Sequence, residues 1–271
     1  MLKTRIITAL LALPLFAVVL FAGKPVFVAG WTILTLLAAL EWNRLTARTR
    51  EQSEDLLFMG VRLLALAALM VYAPAAGQWL LWLLAVPALV FWWQLVPAQL
   101  RRYGEDGHLD TTHALWPWAS LWVFDTFVLG SAYLYVTLGS ARMLGLLALV
   151  WCADTGAYTF GRLFGKRPLA PAISPKKTRE GFVGGCVTAV LGAWVYAVVC
   201  DVPGQTVAFV LVSALVVAFS TVGDLWESVL KRARGVKDSG TILPGHGGML
   251  DRIDSWLPSM LLWALWFSLF V

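Results

Sequence analysis

Apolar stretches long enough to cross a bilayer recur along this chain, and they limit its fold more than any other feature. A hydrocarbon layer roughly 30 Å thick takes about 20 residues of helix. Inside it every backbone N–H and C=O must be satisfied within the segment. Such stretches lie near residues 6 to 22, 26 to 40, 56 to 73, 79 to 96, 116 to 136, 143 to 160, 183 to 199, 206 to 222 and 256 to 271. The expected fold is all-α, a polytopic integral membrane bundle of about nine transmembrane helices, the second and last of them short. Composition agrees, since 59% of the 271 residues are hydrophobic and 14% charged, where soluble domains average about 25% charged. The charged start MLKTR reads like a signal peptide, but no small-residue cleavage site follows, so the first stretch is expected to be a retained helix. Cys152, Cys186 and Cys200 have no metal-ligand spacing and indicate neither a disulfide framework nor a zinc site. The chain reads as one transmembrane domain, residues 1–271. Residues 1–140 hold the N-terminal spans, and 141–271 hold the spans and loops with the candidate site.

With nine spans the loops alternate between two sides. Of the 21 lysines and arginines, 19 fall on the side of the N-terminus: Lys3, Arg5, Arg44, Arg48, Arg50, Arg62, Arg101, Arg102, Arg162, Lys166, Arg167, Lys176, Lys177, Arg179, Lys231, Arg232, Arg234, Lys237 and Arg252. Only Lys24 and Arg142 fall on the other. The positive-inside rule then puts the N-terminus and the basic loops in the cytoplasm and the C-terminus outside. Basic residues here also suit anionic lipid headgroups, and nothing in the pattern points to nucleic acid. The tryptophans, among them Trp79, Trp82, Trp92, Trp93, Trp116, Trp118 and Trp256, are expected at the membrane interfaces.

Charge and glycine are crowded into residues 228 to 254, SVLKRARGVKDSGTILPGHGGMLDRID. Cations and bare amides suit phosphate oxygens, and spaced carboxylates suit a hard divalent metal. Just before and within it, Asp224, Glu227, Ser228 and Lys231 share one helix face. A polar stripe at the end of an apolar span should point into the bundle. Glu227 and Lys231 can also form a simple i,i+4 ion pair. Asp251, Asp254, Ser255 and Pro258 have the same spacing and are expected to open the last helix, where acids also serve as caps. His246 stands between glycines and suits a phosphate or ribose contact. A second polar segment, WCADTGAYTFGRLFGKRPLAPAISPKKTREGFVGG, holds the intramembrane Asp154. Its Ser174, Lys176, Lys177, Thr178 and Arg179 precede a glycine-rich helix start that would make an anion site. The spacing is not that of a P-loop. Asp125 is left outside the site.

These residues resemble the signature of the phosphatidate cytidylyltransferases, also called CDP-diacylglycerol synthases. The likeness runs through Ser228, Lys231, Arg232, Lys237, Asp238, Gly240, Pro244, His246, Gly247, Gly248, Asp251, Arg252 and Asp254. It extends to Asp154, Gly156, Gly161, Gly165, Ser174, Lys176, Lys177, Thr178, Glu180 and Gly181, covering roughly the C-terminal half. The resemblance implies transfer of CMP from CTP to phosphatidate, with Mg2+ and a second cation, in a polar cavity facing the cytoplasm. It implies Asp224, Lys231, Lys237, Asp238, His246 and Asp251 as catalytic residues. Ser174, Lys176, Lys177, Ser228, Arg232, Gly247, Gly248 and Arg252 would bind substrate. Asp224 and Asp251 would hold the metal, completed by Asp154 or Asp254. Lys231 and Lys237 would serve the chemical step, and Lys176 and Lys177 would hold a headgroup or outer phosphates. The expected partners are CTP, phosphatidate and the bilayer, with a homodimer allowed, and the expected setting is a bacterial cytoplasmic membrane. A CTP-dependent transferase acting on a polyprenol or ether lipid, and an ion-coupled transporter, remain the alternatives.

Overall fold

The computed structural model describes residues 2–46, 56–109, 115–200, 202 and 206–270. Arg48 and Arg50 of the charge count, and Val271 of the last expected span, lie outside the described residues. The helices run α1 Leu2–Phe21, α2 Lys24–Thr46, α3 Leu56–Tyr72, α4 Pro74–Val90, α5 Val96–Asp106, α6 Leu115–Leu138, α7 Ser140–Phe164, α8 Arg179–Val199, α9 Thr206–Ala233, α10 Leu250–Ile253 and α11 Trp256–Phe270. Between α4 and α5 the chain stays helical through a π turn, Phe91–Leu95. Two short antiparallel strands, β1 Pro168–Ala170 and β2 Ser174–Thr178, form a hairpin between α7 and α8 where the sequence had suggested a loop.

Among the described residues six helical segments are long and apolar enough to cross a membrane, and three shorter apolar helices coincide with further expected stretches. Their outward faces carry Leu10, Leu83, Val86, Leu191, Val207 and Leu211, each more than half exposed. Soluble monomers rarely leave so much apolar surface uncovered, and lipid is the solvent that removes its cost. This is a multi-pass membrane protein. α2 and α9 are longer than their apolar stretches, because each continues into a polar tail, Glu41 to Thr46 and Asp224 to Ala233, most of which is buried while Arg44 and Arg232 stay exposed.

Three expectations change in the structure. Arg62 is not a loop cation: it lies within α3, 3.2 Å from Asp125 of α6, so the Asp125 left unassigned joins two helices. Trp92, Trp116 and Trp256 are core residues rather than interfacial ones, whereas Trp79, Trp93 and Trp118 do face outward. Bundle packing takes the first three because their side chains fall on inward stripes. The last helix does not open at Asp251 either. α10 ends at Ile253, and the chain turns through Asp254 and Ser255 before α11 begins.

α7 and α8 approach closely along small residues at four-residue intervals, Ala153, Ala157 and Gly161 against Gly181, Gly185 and Ala189. A Cβ on Gly181 would stand 2.6 Å from the Ala157 carbonyl oxygen and 3.1 Å from Gly161 Cα. One on Gly185 would stand 3.0 Å from the Ala153 oxygen. In lipid, helix association rests on such close approach rather than on hydrophobic burial.

Overpacking a seam of this kind costs about 1–3 kcal/mol. Gly181→Ala is therefore expected to lower the unfolding midpoint in detergent by several degrees. Gly104→Ala is the control, because its Cβ would meet nothing within 4 Å, and the gain in helix propensity, about 0.8 kcal/mol, should hold or raise the midpoint. Equal midpoints for the two variants would mean that the seam is loose.

Candidate functional site

The polar tail of α9 forms as the helical spacing predicts. It buries Glu227, Ser228 and Lys231, so the ammonium group needs carboxylate partners at hand. Lys231 Nζ lies 2.5 Å from Glu227 Oε2 and 2.6 Å from Asp251 Oδ1. The ion pair between Glu227 and Lys231 is thus real, and it is half of a three-membered bridge from α9 to α10. The other oxygen of Asp251, Oδ2, accepts from the Gly248 N–H at 2.7 Å and from the Ser239 N–H at 3.0 Å, with the Ser239 Oγ also 3.0 Å away. Burial pushes the Asp251 carboxyl up, but the Lys231 ammonium and the Gly248 N–H outweigh it and hold the group down at about 2.

The connecting loop turns on glycines in the left-handed region, Gly235 at φ +67°, Gly245 at +78° and Gly247 at +86°. Gly247 is constrained twice over, since a Cβ there would come within 2.5 Å of Asp251 Oδ2. Leu243 and Gly247 pair across the turn, the Leu243 N–H donating to the Gly247 carbonyl at 3.0 Å. His246 is half-buried, and its Nδ1 is enclosed without a hydrogen-bond partner among the described residues. Lys237 and Asp238 stand exposed on the loop. Arg232 and Arg252, also exposed, brace the loop by donating to the carbonyls of Val236 and His246 at 3.1 and 2.8 Å.

The hairpin brings in the second polar segment. Lys177 Nζ contacts the Asp224 carboxylate, which joins the two basic regions that the sequence had kept apart. Lys177 belongs beside Asp224, while Lys176, its neighbour on the strand, is exposed and Ser174 half-buried. Asp224 and Asp251, expected to share one metal, are engaged by different lysines. Asp154 of α7 is close enough to Asp224 and Lys177 to feel both charges. Burial and then the Asp224 carboxylate push Asp254 up. The start of α8 is not a bare anion site. Thr178 Oγ1 caps it by accepting from the Gly181 N–H at 3.1 Å, and Glu180 accepts from the N–H groups of Lys166 and Arg167 at 3.0 and 3.2 Å. A threonine at the N-cap satisfies a donor that a phosphate would otherwise take.

One site residue was missed. Glu41 near the end of α2 is fully buried and accepts from Ser239 Oγ at 2.8 Å, the Leu250 N–H at 2.8 Å and the Met249 N–H at 3.1 Å. Its signal was an acid directly after an apolar stretch, residues 26 to 40, close kin to the intramembrane position that marked Asp154. The end of α2 reaches the loop again where Arg234 Nε donates to the Leu45 carbonyl at 2.7 Å, and Thr8 of α1 donates to the Pro244 carbonyl at 2.8 Å. The polar elements from both halves of the chain therefore meet at one end of the bundle. Arg142 lies at the other, where Tyr196 donates to its carbonyl at 3.2 Å.

Carboxylates and a buried lysine beneath a glycine-rich basic loop, set in a lipid-facing bundle, define a membrane protein built to handle anionic groups where membrane meets water. The chain belongs to the cytidylyltransferase family, whose model matches residues 3–270. It is 34% identical over 260 residues to the phosphatidate cytidylyltransferase of Staphylococcus epidermidis, covering 94% of this chain and 95% of that one. It is 35% identical over 281 residues to the Pseudomonas aeruginosa phosphatidate cytidylyltransferase, covering 97% and 98%. To the Bacillus subtilis protein of that name it is 50% identical over 109 residues, 40% of each chain.

Removing one partner of a buried ion pair costs about 3–5 kcal/mol, because it leaves the other charge uncompensated. Lys231→Met strands two buried carboxylates and is expected to destabilise the protein by about that much. Adding Glu227→Gln to it should recover part of the loss. Thermal unfolding in detergent reads both, and a single variant as stable as wild type would remove the bridge from the account.

Proposed function

We propose that this chain transfers CMP from CTP to phosphatidate, giving CDP-diacylglycerol and pyrophosphate. The observation that carries the reading is the meeting of the glycine-rich loop and the hairpin lysine on one carboxylate-bearing helix. Family membership and relatives named phosphatidate cytidylyltransferase over nearly their whole length support it.

The reaction needs little acid–base chemistry. A phosphomonoester has its second pKa near 6, so the phosphatidate phosphate is already ionised at neutral pH. One of its oxygens attacks the α-phosphorus of CTP as the bond to the β-phosphate oxygen breaks, and pyrophosphate leaves with the electron pair. The protein supplies alignment and compensation of charge. Lys231, anchored by Glu227 and Asp251, is held in place to meet a phosphate. Lys237 on the loop rim meets the leaving pyrophosphate, the exposed Lys176 meets the headgroup or outer phosphates, and the loop amides and His246 complete the nucleotide's contacts.

Asp224, with Asp154 and Asp254 near it, would hold a magnesium ion. Asp251 would join them once substrate phosphates draw Lys231 away. No three metal-ligating side chains converge on one point among the described residues. Magnesium does not require that, since it keeps several waters and takes one or two carboxylates plus substrate phosphates. The Lys177 ammonium on Asp224 marks the place where positive charge is wanted. The metal, when bound, neutralises charge on the phosphates. The membrane setting follows from the substrates. Phosphatidate costs about 0.8 kcal/mol for each CH2 drawn into water, whereas CTP cannot enter lipid. The site opens to the cytoplasm at the inner leaflet of the cytoplasmic membrane.

Purified protein with CTP, Mg2+ and phosphatidate should release pyrophosphate and form CDP-diacylglycerol in equal amounts, and replacing phosphatidate with a polyprenol should give neither. Asp224→Asn should lower kcat by about 10²-fold or more without changing the unfolding midpoint. Turnover of polyprenol alone, or full activity in the variant, overturns the assignment it tests.

Topology has its own check. A reporter after Val271 should appear outside the cytoplasm and one inserted at Arg167 inside. A cytoplasmic C-terminus would mean an even number of crossings.

A further inference from the structure

Glu41 sits in a helix of the N-terminal half, about two hundred residues from its hydrogen-bond partners, and among the described residues no ion pair ties it to a lysine. Its carboxylate nevertheless holds both ends of the glycine-rich loop. Oε2 takes the Ser239 hydroxyl at the start and the Leu250 N–H at the finish, and Oε1 takes the Met249 N–H. The fit leaves no slack, because a Cβ on Gly240 or Gly248 would overlap the carboxylate. The helix carrying it is fixed from the other side, where Trp42 packs against Phe91, Phe124 and Trp226.

Ser239 is the shared atom. Its Oγ lies 2.8 Å from Glu41 Oε2 and 3.0 Å from Asp251 Oδ2, and it accepts the Asp251 N–H at 3.3 Å. A hydroxyl has one proton to give. Given to Glu41, the nearer acceptor, it turns the hydroxyl lone pairs toward the Asp251 N–H. Asp251 Oδ2 keeps the two backbone N–H donors, and Oδ1 stays on Lys231.

We infer that Glu41 is a positioning residue for the transfer reaction, acting through Ser239 and the loop amides to hold Asp251, and with it Lys231, in the reactive arrangement. The inference rests on the proposed activity for its kinetic arm and on loop protection for its other arm. Glu41→Gln keeps the volume but turns an N–H2 toward groups that are themselves donors. It should lower kcat about 10- to 100-fold, the scale of a misplacement near 1 Å, with KM for CTP and phosphatidate within about twofold and the unfolding midpoint close to wild type. Ser239→Ala should lower kcat alike, and the double variant should fall no further than the worse single one, because the two act as one unit. Glu41→Asp, which keeps the charge, should retain more activity than Glu41→Gln.

Hydrogen exchange supplies a readout that needs no turnover. In Glu41→Gln the amides of residues 239–250 should exchange faster while those of α7 and α8 are unchanged. An inactive wild type would overturn the proposed activity and leave the exchange result to judge Glu41. An active wild type, with Glu41→Gln or Ser239→Ala at full kcat, would overturn the inference. So would a lowered midpoint with full kcat in the folded fraction, or exchange that quickens throughout the bundle. If Glu41→Gln does not fold, Ser239→Ala carries the same test, and unchanged exchange in its loop overturns the inference equally.

Discussion

A single ammonium group, that of Lys231, answers two buried carboxylates, Glu227 on its own helix and Asp251 across the loop. Three such groups brought out of water are costly apart and tolerable only together, so the α9 tail, the loop and the short α10 must adopt their places as a set. Around that bridge a run of polar groups pairs in turn. The Gly248 and Ser239 amides complete Asp251, Ser239 completes Glu41, and Glu41 completes the amides of Met249 and Leu250. The chain of partners then passes into α2, which sequence likeness alone did not connect to the site.

Lipid and water divide the labour. The outward faces of the helices are apolar and need no specific partner, which is why the bundle tolerates long uniform stretches of Leu, Val and Ala. The polar end cannot be uniform, because charges kept out of lipid must find each other. Asp224 therefore meets Lys177 of the hairpin, and Arg62 meets Asp125 between α3 and α6. The second pair joins two helices of the bundle.

What the sequence made legible was local. The all-α membrane bundle follows from length and hydropathy, and the stripe of Asp224, Glu227, Ser228 and Lys231 follows from helical spacing, because residues three and four apart meet on any helix. The crowding of glycine and charge after Ser228 likewise marked the loop. What stayed hidden depended on contacts distant in sequence. Neither the pairing of Lys177 with Asp224 nor the reach of Glu41 to Ser239 has a spacing that could announce it. The β-hairpin was obscured by its prolines, and the buried Trp92, Trp116 and Trp256 by the commoner interfacial role of tryptophan. The break at Asp254 was concealed because a cap and a continuing helix share one pattern of acids.

The small-residue seam between α7 and α8 bears on the order in which the molecule comes together. The two helices are neighbours in the chain, linked by a hairpin, so closing their contact forfeits little loop entropy, and contacts of such short sequence separation form early. Once paired, they carry Asp154 and the strand of Lys177 as a preassembled half-site, synthesised before α9 delivers Asp224 and before the loop can fold back onto α2. The most distant partner, Glu41, was made first and waits longest. Assembly of the polar end is therefore completed only when the last segment of the chain arrives.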